Sequence, residues 1–185
     1  MRFSAIVYDA DGRITVLKRH TTALALEGMN YIQGDIDGNI DDFYVADGAL
    51  VEKGARPSQA HEFDYSAGAW VFSLTVGKEQ KWQEMKEARH TAEFSQFSWS
   101  SYTFQCDAQS QMRIQSAVNA ANMDAALSMI WTLSDNTTHT FTADEIKQIG
   151  QALSSHVSQC HERGRIVRQQ ITDATTQTEL EAIVW

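Results

Sequence analysis

Three groups of residues in this 185-residue chain have types and spacings that carry chemistry. In the first, Asp35, Asp37, Asn39 and Asp41 alternate, with Gly38 and Asp42 among them. Alternating oxygen side chains are how a calcium loop begins. Such a loop needs glycine at its sixth position and glutamate at its twelfth. Those positions hold Ile40 and Ala46, so the segment reads as a solvated acidic loop. In the second group, His156 and Cys160 lie four apart on a predicted helix, with His161 adjacent. That spacing offers two ligands to a metal. No other Cys or His is close in sequence to complete the set, so no metal site is assigned. The third group is aromatic: Phe94, Phe97, Trp99, Tyr102 and Phe104. Such a set can stack sugars or peptides, but aromatics at hairpin spacing more often fill a core, and that reading is preferred.

Other candidates are sparser. Cys106 and Cys160 stand outside any Cys-x-x-Cys pair and are too few for a disulfide scaffold. They read as reduced, buried thiols. His20, His61, His90 and His139 fall on different predicted elements. No His-Glu-x-x-His, Gly-x-Ser-x-Gly or phosphate-loop pattern is present. A Ser/His/Asp triad is spatial rather than sequential and stays open, although nothing favours one. No catalytic, metal or cofactor residue is assigned, and no cofactor is expected.

The elements that hold these residues fall into two parts: a small β-rich region over 1–75 and a helix-rich α+β domain over 76–185. In the first part, 3–8 and 14–17 flank the turn signal Asp9-Ala10-Asp11-Gly12 and predict a hairpin. Residues 21–27 predict one helical turn closed by Gly28, and Tyr31-Ile32 a short strand. Two further hairpins are predicted, one turning at Asp47-Gly48 and one at Ser66-Ala67-Gly68. Six or seven short strands at this spacing suggest one small antiparallel sheet. In the second part, 78–94 carries Trp82, Met85, Ala88 and Ala92 at helical steps. Residues 97–104 predict a hairpin split at Ser100-Ser101. Asp107 is a good N-cap for a helix over 112–122, and a short helix is predicted at 124–127. Residues 130–133 and 139–141 predict another hairpin around Asp135-Asn136. Thr142-Ala143-Asp144-Glu145 is a capping box. It opens a helix of about thirty residues, to Asp173, in which Gly164 is a candidate bend or break. A last short helix is predicted over 178–183, and Ala182-Ile183-Val184-Trp185 is an apolar end.

The row Ile146, Leu153, Cys160, Val167, Ala174 keeps a seven-residue step. Its companion row is Ile149, His156, Arg163, Gln170. A coiled-coil seam wants both rows apolar, so this helix is expected to pack on its own domain. Composition agrees with a folded chain: 43% hydrophobic, 21% charged, net charge −9 and a single proline, Pro57, placed in the loop after the second hairpin. The acidic balance argues against a nucleic-acid binder, which needs a basic footprint, and no basic residue lies between Arg113 and Lys147. No apolar run is long enough for a spanning helix. The start Met1-Arg2-Phe3-Ser4-Ala5 lacks an apolar signal core, which argues against export by that route.

One resemblance rests on the order of these segments. Lys81–Arg89 leads into the aromatic hairpin Phe97–Phe104. Asp107 and the small-residue helix Ile114–Ala121 follow, then the strand Ile130-Trp131-Thr132, the segment Phe141–Glu145 and the long helix with His156. This order resembles a domain of uncharacterised function found in tail proteins of tailed bacteriophages, and the resemblance covers roughly residues 78–183. It implies a non-enzymatic component of the virion tail, made in the host bacterial cytoplasm. The expected role is a structural part of a baseplate, tail tip or tail-fibre attachment. The alternatives are a tail-fibre assembly chaperone that leaves the particle and, further off, an enzyme acting on host surface polymers. The expected partners are other tail or fibre proteins and further copies of the chain. The apolar residues Ile183, Val184 and Trp185, and exposed β-edges in the first half, are the candidate docking elements.

Overall fold

The computed structural model describes residues 2–185 and divides them into two compact units, one ending at Gly77 and one running from Lys78 to Trp185. The first unit is built on strand β1 (Phe3–Tyr8). It pairs antiparallel with β2 (Ile14–Thr21) on one side and β3 (Asn30–Gln33) on the other. Successive side chains of a strand point to opposite faces, and a central strand with both faces covered should be apolar throughout. Ile6 packs with Ile14, Ile36 and Val45. Ala5 and Val7 pack with Leu26. Leu26 belongs to a 3₁₀ turn, Ala23–Leu26, followed by Gly28 at φ +77°. The remaining four strands form two separate hairpins, β4 (Phe43–Ala46) with β5 (Ala49–Glu52), and β6 (His61–Asp64) with β7 (Ala69–Phe72). The first unit is therefore a three-stranded sheet with two hairpins, and not the single sheet expected. Strand spacing alone does not specify which hairpins pair with each other.

The turn at Gly12 joins these pieces. Its carbonyl accepts from the Val45 N–H at 2.8 Å, its φ is +88°, and a Cβ there would collide with the Val45 carbonyl oxygen. Aromatic contacts hold the second and third pairs of strands together. The rings of Tyr44 and Phe63 lie 4.9 Å apart, and those of Phe63 and Trp70 5.3 Å apart. The Trp70 indole donates to the Lys53 carbonyl at 3.1 Å.

Helix α1 (Leu74–Glu93) starts four residues before the expected Lys78, so Gly77, the last residue of the first unit, is helical. A hairpin follows, β8 (Gln96–Trp99) with β9 (Tyr102–Gln105), turning at Ser100-Ser101. Helix α2 (Ala108–Met123) begins directly after its N-cap, Asp107, four residues earlier than the apolar pattern suggests. The cap, and not the first apolar residue, sets the start. The expected short helix at 124–127 is a turn instead: Leu127 N–H donates to the Asp124 carbonyl, while the Asp124 side chain accepts from Ala126 N–H. A second hairpin joins β10 (Ser128–Thr132) to β11 (Thr138–Thr142).

Helix α3 (Ala143–Asp173) runs 31 residues without interruption, opened by the Thr142/Glu145 capping box. Gly164 does not break it. A second capping box, Thr176 with Glu179, opens α4 (Gln177–Glu181). The second unit's core gathers Phe97, Phe104, Cys106, Ile114, Phe141, Ile146 and Ile149, among others. Helices α2 and α3 approach closely at Gly150, where a Cβ would stand 2.5 Å from a Val118 methyl. Further along, α1 runs antiparallel to the second half of α3. Lys78 bonds the Thr172 carbonyl, Trp82 meets Arg168, Arg89 lies on Gly164, and Glu93 meets His161. Among the described residues, no helix is long and apolar enough to cross a membrane.

Candidate interaction surface

Several of the residues that first suggest chemistry are occupied by structural contacts. Asp35 is gripped by the Arg19 guanidinium, with N···O distances of 3.0–3.2 Å, and also accepts from Ile36 N–H. The Arg19 hydrogen bonds hold its carboxyl below the usual range. Asn39 accepts from Asp41 N–H and caps a short turn. His156 Nε2 lies 3.2 Å from the Ala92 carbonyl and 3.3 Å from that of Glu93, so it donates to the last carbonyls of α1. His161 lies 3.4 Å from Glu93. Both cysteines are free and buried, and burial pushes both thiols up. Among the described residues, no three His, Cys, Asp or Glu side chains are placed to hold one metal ion.

Ser58 Oγ lies 2.8 Å from His61 Nδ1, three residues on, and also accepts from Ala60 N–H. The pair closes a turn. The aromatic set is mainly core: Phe97 and Phe104 are buried and stacked 5.3 Å apart. Trp99 and Tyr102 are partly buried, and both pack edge-on against Phe141. Tyr102 Oη lies 3.1 Å from His139 Nε2.

A surface that no motif announces lies between α2 and β10. Helix α2 starts where Asp107 accepts from Gln109 N–H and Ser110 N–H. The Ser110 hydroxyl, hydrogen bonding to the same carboxylate, is the main cause of its lowered pKa. From that start, Ser110, Ile114, Ala117 and Ala121 turn inward. Met112 and Arg113 therefore turn outward, and Met112 is 65% exposed. In β10 the alternation puts Met129 and Trp131 against the core, and leaves Ile130 72% exposed. Among the described residues, strand β10 is hydrogen-bonded to β11 alone, so its other edge carries no strand. A groove of about 780 Å³ is lined by Met112, Arg113, Ser116, Met129, Ile130 and Trp131, among others, and Arg113 is its one charged residue.

The expected docking residues at the chain end are only partly open. Val184 is 64% exposed, whereas Ile183 and Trp185 are half-buried. Arg163 donates to the Val184 carbonyl at 2.9 Å and holds the segment against α3. Sequence reasoning missed the groove because its residues follow ordinary core patterns. The available signal was Ser128–Thr132, a strand with neither charge nor proline.

The unit built from α1–α4 and these two hairpins is the defining part of a protein family. The chain belongs to the family of the domain of unknown function DUF4376, whose model matches residues 77–184. No curated protein and no solved structure shows a significant match to it.

Proposed function

We propose that this chain is a structural component of a bacteriophage tail (baseplate, tail tip or fibre attachment) that works through protein–protein contacts. The resemblance of residues 78–183 to a domain of phage tail proteins supports the setting. The observation that carries a binding role is the unpaired edge of β10 beside the exposed side chains Met112 and Ile130. Strand edges are normally blunted by lysine, proline or a bulge. Strand β10 has no lysine or proline and keeps a continuous register with β11. An extended segment of a partner tail protein adds to such an edge through main-chain hydrogen bonds, and its alternate side chains reach the groove. Arg113, the one charge there, favours a partner segment with an acidic side chain. Ile183, Val184 and Trp185 are a second docking element in this reading.

The protein inventory of purified virions tests the reading. The chain is expected among the tail proteins. Its absence from virions, with binding to purified fibre protein retained, would make it an assembly chaperone instead. Release of products from host-envelope glycans would count for an enzyme. Ile130→Asp is expected to weaken binding to a purified tail partner by at least about tenfold, because it sets a charge against an apolar contact. Its circular dichroism should match the parent, since Ile130 is mostly exposed. Unchanged affinity would remove β10 from the interface.

A further inference from the structure

The antiparallel packing of α1 on the second half of α3 leaves a pocket of about 450 Å³, away from the groove. Its wall is cationic. Arg89 of α1 and Arg165 and Arg168 of α3 line it, with His161 and Trp82, and no acidic residue does. Arg165 is already opposed by Glu162, and His161 sits 3.4 Å from Glu93. The guanidiniums of Arg89 and Arg168 have no acidic partner among the described residues.

Arg89 is the informative one. Among the described residues, its Nε is the one buried side-chain nitrogen or oxygen without a hydrogen-bond partner. The position is built rather than incidental. Arg89 Cδ lies where a Cβ on residue 164 would be 3.2 Å away, so buried Gly164 lets the side chain lie on bare α3 backbone. Arginine cannot shed its proton to relieve such a site. Arg168 is fixed in its turn, with its guanidinium 4.7 Å from the Trp82 ring, and Lys86 Nζ is 6.0 Å from the same ring. Arg89 and Arg168 thus line one concave wall without an acidic partner, and like charges sharing a wall favour an anion there.

We propose that this pocket binds a dianionic phosphoryl group, held by Arg89 and Arg168. The two unpaired positive charges match the two negative charges. The planar forks of guanidinium suit an oxyanion with several acceptor oxygens. The site does not depend on the groove or on the tail reading.

Titrating the full-length chain at constant ionic strength tests it, following the Trp82 indole and arginine Nε–H resonances by NMR. The probes are inorganic phosphate, a sugar phosphate and acetate. Saturable shifts are expected with both phosphates, with acetate weaker by about tenfold or more. Tighter binding of the sugar phosphate would identify an esterified ligand, and equal binding would mean that the phosphoryl group alone is recognised. Arg168→Gln, on the exposed face of α3, is expected to weaken phosphate binding by about tenfold, and Arg113→Gln to leave it unchanged. No saturable shift with either phosphate, acetate binding as tight as phosphate, or parent-like binding by Arg168→Gln would overturn the assignment.

Discussion

At the scale of single residues, two glycines matter for different reasons. Gly12 combines a left-handed φ with contact against the Val45 backbone. Alanine there meets both a conformational penalty and a collision with main chain that cannot swing away. Gly12→Ala is therefore expected to destabilise the first unit by about 2 kcal/mol or more, read as a lower denaturant midpoint at unchanged slope. Parent-like stability would mean that the turn moves freely away from β4. Gly164 is different. Its φ is helical, and its value lies in the room it gives Arg89. Several histidines are likewise explained by single contacts. His156 caps α1, and His61 closes a turn with Ser58 and lies edge-on to Phe72.

At the scale of elements, α3 organises the second unit. Its seven-residue row, Ile146, Leu153, Cys160, Val167 and Ala174, is buried throughout. The companion row is polar after Ile149 because it meets other things: His156 meets carbonyls of α1, and Arg163 meets the chain end. The helix therefore packs within its own unit, against α2, α1 and β8–β9. Its start is defined by reciprocal bonds, with Thr142 N–H donating to Glu145 at 2.8 Å and Glu145 N–H to the Thr142 hydroxyl at 3.4 Å. Thr142→Ala removes half of that box and is expected to cost about 1 kcal/mol, measured by chemical denaturation. A Thr142→Ser variant, which keeps the hydroxyl, should lose much less. Equal losses for both would show that the methyl group, rather than the cap, matters at that position.

At the scale of the whole molecule, stability should form a plateau with two edges in pH. Asp64, Asp107 and Asp135 accept hydrogen bonds first from Ser66, Ser110 and Thr137 hydroxyls. Glu145 and Glu179 accept first from the backbone N–H groups of Thr142 and Thr175. All five, like Asp35 held by the Arg19 hydrogen bonds, lie below their ordinary values, so the native chain binds fewer protons than the unfolded one. Their contribution is complete above the ordinary carboxylate range, about pH 4, and is lost as pH falls through the lower native values. The buried thiols of Cys106 and Cys160 act in the opposite sense. Burial raises both, so the stability linked to their neutral form is complete below the ordinary thiol value, about 8.5, and is lost as pH rises beyond it. Thermal unfolding across pH 2–10 is expected to show falling midpoints below about 4 and above about 8.5. A midpoint that stays flat through the acid range would show that the five carboxylates are bonded equally in the unfolded chain.

Local chemistry made much of this protein legible in its sequence. The α+β class, the hairpin turns at Asp47-Gly48 and Ser100-Ser101, the Asp107 cap and the Thr142 box all depend on residues within a few positions of one another. Such contacts form whatever the rest of the chain does. Tertiary structure alone decided the long-range matters. It split seven short strands into one sheet and two hairpins, and it kept α3 continuous through Gly164. It also left one edge of β10 without a strand among the described residues, and brought Arg89 of α1 to one pocket with Arg165 and Arg168 of α3. Residues 89 and 168 lie far apart in sequence. Their proximity follows from the antiparallel docking of α1 on α3, an arrangement set by packing of whole helix faces rather than by any motif.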